Sequence, residues 1–183
     1  MHIFETNRLQ LCRLTLKDAP FILELVNNPA WIRFIGDRGI RTLKAAKEYI
    51  KNGPKKSYAQ FGFGLYLVKL KDSGISMGMC GLLRRDTLDD VDIGFAFLPQ
   101  YTGKGYASEA AKVVLDHARN ILRMNRILAI TSVDNTNSIR LLEKLGFKFI
   151  KIIRLTPDAE ESRLFEMSIK TKEKLVNKKN LHY

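Results

Sequence analysis

A glycine-rich turn offers the clearest chemistry in the sequence. The segment Gln100-Tyr101-Thr102-Gly103-Lys104-Gly105-Tyr106-Ala107 follows a predicted strand and precedes a predicted helix. Glycine lets the backbone turn tightly and approach a ligand without Cβ obstruction. A helix N-terminus adds unpaired N–H groups and a partial positive charge. Together these features suit a pyrophosphate group, to which Lys104 could add charge unless its side chain points into solvent.

Other phosphate-binding motifs fit this chain less well. A Walker motif requires Gly-x-x-x-x-Gly-Lys-Ser/Thr, which no stretch supplies. A dinucleotide-binding fingerprint requires a third glycine where Ser108 stands. A plain tight turn between a strand and a helix would also contain Gly-x-Gly. The turn alone therefore predicts an anion site and leaves the anion open.

A second segment narrows the choice of anion. Residues 135–147, Asn-Thr-Asn-Ser-Ile-Arg-Leu-Leu-Glu-Lys-Leu-Gly-Phe, follow a predicted buried strand. The two segments together resemble the GNAT superfamily of N-acetyltransferases, whose cofactor turn has the pattern Gln/Arg-x-x-Gly-x-Gly/Ala. The Asn-x-x-Ser…Glu-Lys-Leu-Gly-Phe ending resembles the ribosomal-protein (Rim-type) branch. The likeness extends from the opening strand at Thr6-Asn7-Arg8 to about Lys170.

The resemblance implies a role for each matching residue, with acetyl-CoA as cofactor and CoA as product. The pyrophosphate turn comprises Gln100, Gly103, Lys104, Gly105, Tyr106 and Ala107. Phe97 and Leu98 end the preceding strand, where a splay would expose backbone groups to the pantetheine arm and the acetyl carbonyl. Asn135 matches an asparagine that contacts pantetheine.

Acetyl transfer to an amine requires a base, or a water chain, to keep the amine neutral. On the strand at 90–98, Asp92 shares a face with Gly94 and Ala96, whose small side chains leave room for a substrate. Asp92 is the predicted base, directly or through water. A solvated or salt-bridged carboxylate is the alternative, and Asp90 or Glu166 could take its place.

Transfer also requires a proton donor for the departing thiolate. Many relatives carry a tyrosine at the position of Leu142, so a tyrosine acid is in doubt here. The resemblance implies that Ser138 donates instead; an N-terminal helix cap is its competing role. Trp31 follows the first predicted helix, in a region that borders the acceptor groove in this family, although local helix packing explains it better.

Hydrophobic periodicity supplies the elements that must position these residues. We predict strands at 8–14, 62–70, 77–84, 90–98, 126–133, 147–155 and 163–170. Four helices are predicted: one ends at Asn27-Asn28-Pro29, one follows Thr42 and stops near Asn52-Gly53-Pro54, one follows the glycine turn, and one covers about 137–145. The predicted fold is a mixed α/β, GNAT-like single domain over residues 1–170, with a mostly antiparallel twisted sheet of about seven strands flanked by about four helices. Residues 171–183 form a basic tail.

Composition sets the remaining limits. The chain has 31 Lys and Arg against 19 Asp and Glu, a net charge of +12 that favours polyanions such as nucleic acid, a ribosome or cofactor phosphates. Two cysteines cannot build a disulfide framework, and three scattered histidines offer no metal-ligand spacing, so no metal is expected. Neither a spanning apolar run nor a secretory signal is present, and we expect a cytoplasmic protein, monomeric or homodimeric.

The expected function is transfer of acetyl from acetyl-CoA to a primary amine by direct attack in a ternary complex. A protein N-terminus, including that of a ribosomal protein, is the first candidate acceptor. A small amine, of the polyamine or aminoglycoside kind, is the second. A non-catalytic CoA-binding module associated with the ribosome or RNA is the candidate from another class, and ribosome association is left open.

Overall fold

The computed structural model describes residues 2–169, so the predicted basic tail at 171–183 lies outside it. One sheet of eight strands forms the centre of the fold, in the order β1-β2-β3-β4-β5-β6-β8-β7. All neighbouring strands pair antiparallel except β5 and β6. The strands are β1 His2–Glu5, β2 Leu9–Arg13, β3 Leu65–Leu70, β4 Ser76–Leu83, β5 Asp92–Phe97, β6 Arg126–Ser132, β7 Lys148–Ile153 and β8 Ser162–Ser168.

Helices cover both faces of this sheet. Alternation along β3 shows the division: Leu67 packs with α1 and α3, whereas Tyr66 and Val68 pack with α5. The helices are α1 Ala19–Val26, α2 Pro29–Ile35, α3 Leu43–Ile50, α4 Lys56–Phe61, α5 Tyr106–Asn120 and α6 Thr136–Leu145. The predicted mixed α/β fold with a mostly antiparallel sheet is confirmed.

The eighth strand and the two further helices were not predicted. β1 is a four-residue edge strand, too short to show a periodic pattern of its own. α2 follows α1 directly because Asn28 caps it, accepting a hydrogen bond from the Ala30 N–H at 3.0 Å. Pro29 occupies the first turn of α2, where its missing N–H costs nothing. The Asn-Asn-Pro stretch therefore ends one helix and starts another.

The predicted stop at Asn52-Gly53-Pro54 is wrong. The backbone stays helical from α3 through a π-helical turn, Lys51–Lys55, and into α4. A proline cannot donate the usual i→i−4 hydrogen bond, and the wider π turn accommodates it. The buried side chain of Pro54 adds packing that local helix rules do not include.

Candidate active site

The two parallel strands at the centre of the sheet meet at one end only. β5 and β6 share a single registered pair, Asp92 with Leu128, and the Leu128 N–H donates to the Val91 carbonyl. β5 continues to Phe97 and β6 to Ser132 without further pairing. The strands therefore separate towards their carboxyl ends and leave a gap in the sheet.

Backbone groups of β5 face this gap. The Leu98 N–H donates to the Met77 carbonyl of β4 at 2.9 Å. Hydrogen-bonding directions alternate along an antiparallel strand. The N–H and C=O groups of Phe95 and Phe97 therefore point away from β4, into the gap. An extended ligand could pair with these groups as an added strand would.

The phosphate turn, residues 99–107, follows β5 directly. Gly103 and Gly105 have φ angles of +73° and +81°, in the left-handed region that disfavours side chains. A Cβ added to Gly103 would meet nothing within 4 Å, so the backbone is open to a ligand there. Among the described residues, the N–H groups from Gly103 to Ser108 donate to no backbone carbonyl or side chain. This row of free donors at the start of α5 fits a pyrophosphate.

Arg8, on the connection before β2, fixes the conformation of the phosphate turn. Its guanidinium donates to the Lys104 carbonyl at 3.1 Å, pairs with Glu109 at 2.6 Å and lies over the Tyr106 ring. The Thr6 hydroxyl also donates to Glu109. Burial raises the pKa of Glu109, but the hydrogen bonds from Thr6 and Arg8 together hold it below its usual value. Sequence reasoning included Arg8 in the family resemblance without giving it this role.

The start of α6 lies across the gap. Asn135 caps the helix by accepting the Ser138 N–H at 3.1 Å, and its side-chain NH₂ donates to no described residue. Ser138 is the third residue of α6 and does not cap it, so the alternative role considered for its hydroxyl is wrong. The hydroxyl of Ser138 has no partner within residues 2–169 and remains available to a ligand.

Asp92 lies at the closed end of the gap. Its exposure is 0%, and the Arg85 Nε–H donates to both carboxylate oxygens, at 2.9 and 3.1 Å. Burial raises the pKa of Asp92, and the nearby Arg85 charge partly opposes this shift. Leu83 fills the space beside Gly94, where an added Cβ would lie 2.7 Å from it. The predicted free space next to Asp92 is therefore absent at Gly94.

The other two candidate carboxylates are held elsewhere. Asp90 and Glu166 both pair with Arg126, Glu166 at 3.6 Å. All three groups of this cluster are partly exposed, at the end of β6 away from the open gap. Neither carboxylate has better access to the gap than Asp92.

A polar pocket of about 530 Å³ opens beside the carboxyl end of β6. Arg33 of α2 pairs there with Asp134 at 2.8 Å, and Arg154 pairs with Glu161 at 3.1 Å. Hydrogen bonds from Ser132 and Arg33 hold the pKa of Asp134 below its usual value. The polar pocket is lined by Arg33, Ser132, Val133, Asp134, Arg154, Glu160 and Glu161. Glu160 forms no ion pair with a described residue, which leaves one carboxylate free in the pocket.

Trp31 is buried among apolar side chains of α1 and α3, and its indole N–H has no acceptor within the described residues.

No group of residues between 2 and 169 is arranged to hold a metal ion. No helix in that range is long and apolar enough to cross a bilayer.

A gap between parallel strands beside an anion-binding helix start can hold an extended ligand that carries a pyrophosphate. The sequence profile described as "Acetyltransferase (GNAT) domain" matches residues 8–148. The chain therefore belongs to the GNAT acetyltransferase family, whose fold uses acetyl-CoA. It is 28% identical to the "Uncharacterized N-acetyltransferase YnaD" of Bacillus subtilis over 81% of this chain and 83% of that one.

Two further similarities concern named acceptors. The structure of "RimL- Ribosomal L7/L12 alpha-N-protein acetyltransferase in complex with Coenzyme A" superposes with a TM-score of 0.79 at 16% identity, over 92% of this chain and 98% of that one. The "Spermidine N(1)-acetyltransferase" of Escherichia coli is 37% identical over 49 residues, 27% of this chain and 26% of that one. The first is a likeness of fold and the second a short local match.

Proposed function

We propose that this enzyme transfers acetyl from acetyl-CoA to a primary amine in a ternary complex, and that the acceptor is the N-terminus of a protein, a ribosomal protein first. The gap between β5 and β6 supports the use of acetyl-CoA in this proposal, because it has free backbone donors on one side and the phosphate turn at its mouth. Unpaired Cys12 and Cys80 favour a reducing compartment, and we place the enzyme in the cytoplasm.

The chain's own groups divide the work of binding. The N–H groups after Gly103 hold the two phosphates, and Asn135 offers its free amide to the pantetheine arm. The Phe97 N–H, which faces the gap, binds the acetyl oxygen and stabilises negative charge that develops there during attack. Acetyl-CoA supplies the activated acyl group.

Asp92 remains the proposed base, acting through intervening polar groups or water. Its full burial prevents direct contact with an acceptor in the polar pocket. A raised pKa makes the carboxylate a stronger base than an exposed one, which suits proton removal from an ammonium group. Ser138 is the proposed proton donor for the thiolate, since its hydroxyl is free at the start of α6.

The polar pocket is the proposed acceptor site. It adjoins Asp134, the residue before Asn135, so an amine bound there lies beside the proposed pantetheine contact. Its lining carries both signs of charge. A peptide N-terminus presents an ammonium group together with carbonyls and N–H groups, and this mixture matches Glu160 and the two arginines. A polyamine has no carbonyl oxygen, so it would offer Arg33 and Arg154 no hydrogen-bond acceptor.

A small polycationic amine is the second candidate acceptor. The local match to the spermidine enzyme favours it, as do the carboxylates Asp158, Glu160 and Glu161 on the connection between β7 and β8. Thiol release from acetyl-CoA, measured with a panel of peptide N-termini and with spermidine, separates the two. We expect higher kcat/KM for peptides. A preference for spermidine would replace the first candidate with the second, and failure of any acyl-CoA to bind by calorimetry would sink both.

The Asp92→Asn variant tests the base. We expect kcat to fall about 100-fold, a typical contribution of a general base, with CoA affinity unchanged. In the unaltered enzyme kcat should rise with pH through the raised pKa of Asp92, and the variant should lose that rise. Asp90→Asn, two residues away in an exposed ion pair, is the matched control. Equal kcat in the two variants would remove Asp92 from the role.

Asp92 also makes a prediction for stability that tests the direction of its pKa shift separately from turnover. Burial holds its pKa above 3.8 in the folded protein, so the folded state binds the proton more tightly than the unfolded chain. The contribution of this carboxyl to the free energy of unfolding therefore falls as pH rises through the window above 3.8. Thermal melts of the unaltered protein and of the Asp92→Asn variant across that window measure this contribution.

A further inference from the structure

A row of lysines follows one side of the continuous helix formed by α3, the π turn and α4. Lys44, Lys47, Lys51 and Lys55 are spaced three or four residues apart, so they lie on the same side of the helix, and all four are exposed. We call these four residues the lysine stripe. It is about 16 Å long, from a helical rise of roughly 1.5 Å per residue.

This stretch concentrates the positive charge of the protein. Residues 41–56 contain six Lys and Arg against a single acidic residue, Glu48, whereas residues 2–169 as a whole have 26 against 18. Within the described part of the chain, the ammonium groups of the lysine stripe form no salt bridge. Glu48 instead accepts a hydrogen bond from Asn52.

Helix stability does not account for the lysine stripe. Lys44 lies in the first turn of α3, where positive charge opposes the helix dipole. Lysines three or four residues apart also repel each other along the stripe. Binding of acetyl-CoA does not account for it either, because α3 packs on the face of the sheet opposite to α5, whose first turn carries the free N–H groups. The lysine stripe is therefore free to contact another anionic partner.

We propose that the lysine stripe binds the phosphate backbone of a duplex nucleic acid, independently of base sequence. Phosphates recur along a strand at a few ångströms, comparable to the spacing of about 4.5–6 Å between successive stripe residues. Lysine is a common phosphate contact, whereas protein–protein interfaces are depleted in it. Single strands are held by stacking on exposed aromatic rings. The aromatic residue between the first and last stripe lysines, Tyr49, is half-buried among the packed residues of α1 and α3 and offers no such ring.

Fluorescence anisotropy of the full chain with a 16-base-pair RNA duplex, over a series of salt concentrations, tests this proposal. The stripe variant carries Lys44→Gln, Lys51→Gln and Lys55→Gln. The control variant carries Lys17→Gln, Lys148→Gln and Lys151→Gln, exposed residues outside the stripe that remove the same charge. We expect the stripe variant to bind about 10-fold more weakly and to lower the salt slope by about 3, one for each lysine–phosphate pair removed. The control should change affinity by less than about 3-fold, as expected for a long-range charge effect alone.

The proposal would be overturned if the unaltered protein did not bind duplex or if both variants were weakened equally. Displacement of duplex by an equal charge of polyglutamate would also overturn it and would indicate an acidic protein partner. A duplex DNA arm distinguishes the two sources of the phosphate backbone, and binding of either through the stripe supports it. Tighter binding of the matching single strand would contradict the duplex assignment. Because the readout is nucleic-acid binding, the result is independent of whether the protein transfers acetyl. Thermal melts and thiol release check that both variants are folded.

Discussion

The phosphate turn follows β5 and the polar pocket adjoins the end of β6, the two strands that border the gap, and the two are built differently. The turn consists of consecutive residues, and its free donors are backbone N–H groups placed by two left-handed glycines. The pocket is lined by side chains from α2, the end of β6 and the β7–β8 connection, joined by two ion pairs. A backbone site is insensitive to most side-chain changes, whereas a pocket made of charged side chains can change its acceptor through single substitutions.

The largest effect should come from placing a carboxylate in the phosphate turn. Gly103→Asp forces a side chain onto a φ of +73° and sets a negative charge beside the phosphates. We expect CoA affinity to fall at least 100-fold, or about 2.7 kcal/mol, by calorimetry. Gly74→Asp is the control, since Gly74 has a φ of +68° and equally open surroundings in the turn between β3 and β4. Similar losses in both variants would show a general effect of a strained aspartate on the fold, not phosphate repulsion.

Arg8→Gln, which also alters the phosphate turn, should have an intermediate effect on CoA affinity. The guanidinium holds the Lys104 carbonyl and Glu109, so its loss frees the turn without removing any N–H donor. We expect CoA affinity to fall about 10-fold, in the range expected for removing one charge-assisted hydrogen bond. Arg13→Gln is the control, because Arg13 ends the strand that follows Arg8, β2, and stacks over Tyr58. An unchanged affinity would mean that the glycines alone fix the turn.

The smallest effect is expected from a substitution in the polar pocket. Glu160→Gln removes the free carboxylate of the polar pocket, and kcat/KM for a peptide acceptor should fall about 5-fold, as for an exposed charge interaction. CoA affinity should stay the same. Asp158→Asn, on the same connection but outside the pocket lining, should leave kcat/KM unchanged. If Glu160→Gln weakened CoA binding instead, the division between the two sides of the gap would be wrong.

The two sides also differed in how far sequence reasoning reached. The glycine turn and the asparagine at the start of α6 were predictable because each requires only residues close together in the chain. Arg8 and Glu109 are separated by 101 residues, and no local pattern indicates that they meet. Arg85 as partner of Asp92, and the filling of the space at Gly94 by Leu83, likewise depend on how β4 and β5 align.

Errors in the predicted elements have the same origin. The pattern Asn52-Gly53-Pro54 is typical of a helix end. Here, packing of Pro54 and the π turn keep the helix continuous. The extension carries Lys51 and Lys55 into line with Lys44 and Lys47, so the lysine stripe is visible only in the folded helix. In the sequence these lysines appear as general excess charge.

The sequence by itself determined the family, the fold class and the glycine turn proposed to bind CoA, because glycine conformation, helix capping and hydrophobic periodicity act over short distances along the chain. Only the tertiary structure decided that Asp92 is buried against Arg85, that Arg8 supports the phosphate turn, and that charged side chains from three distant segments form one pocket. Those features depend on long-range strand register and packing, which place residues together irrespective of their separation in sequence.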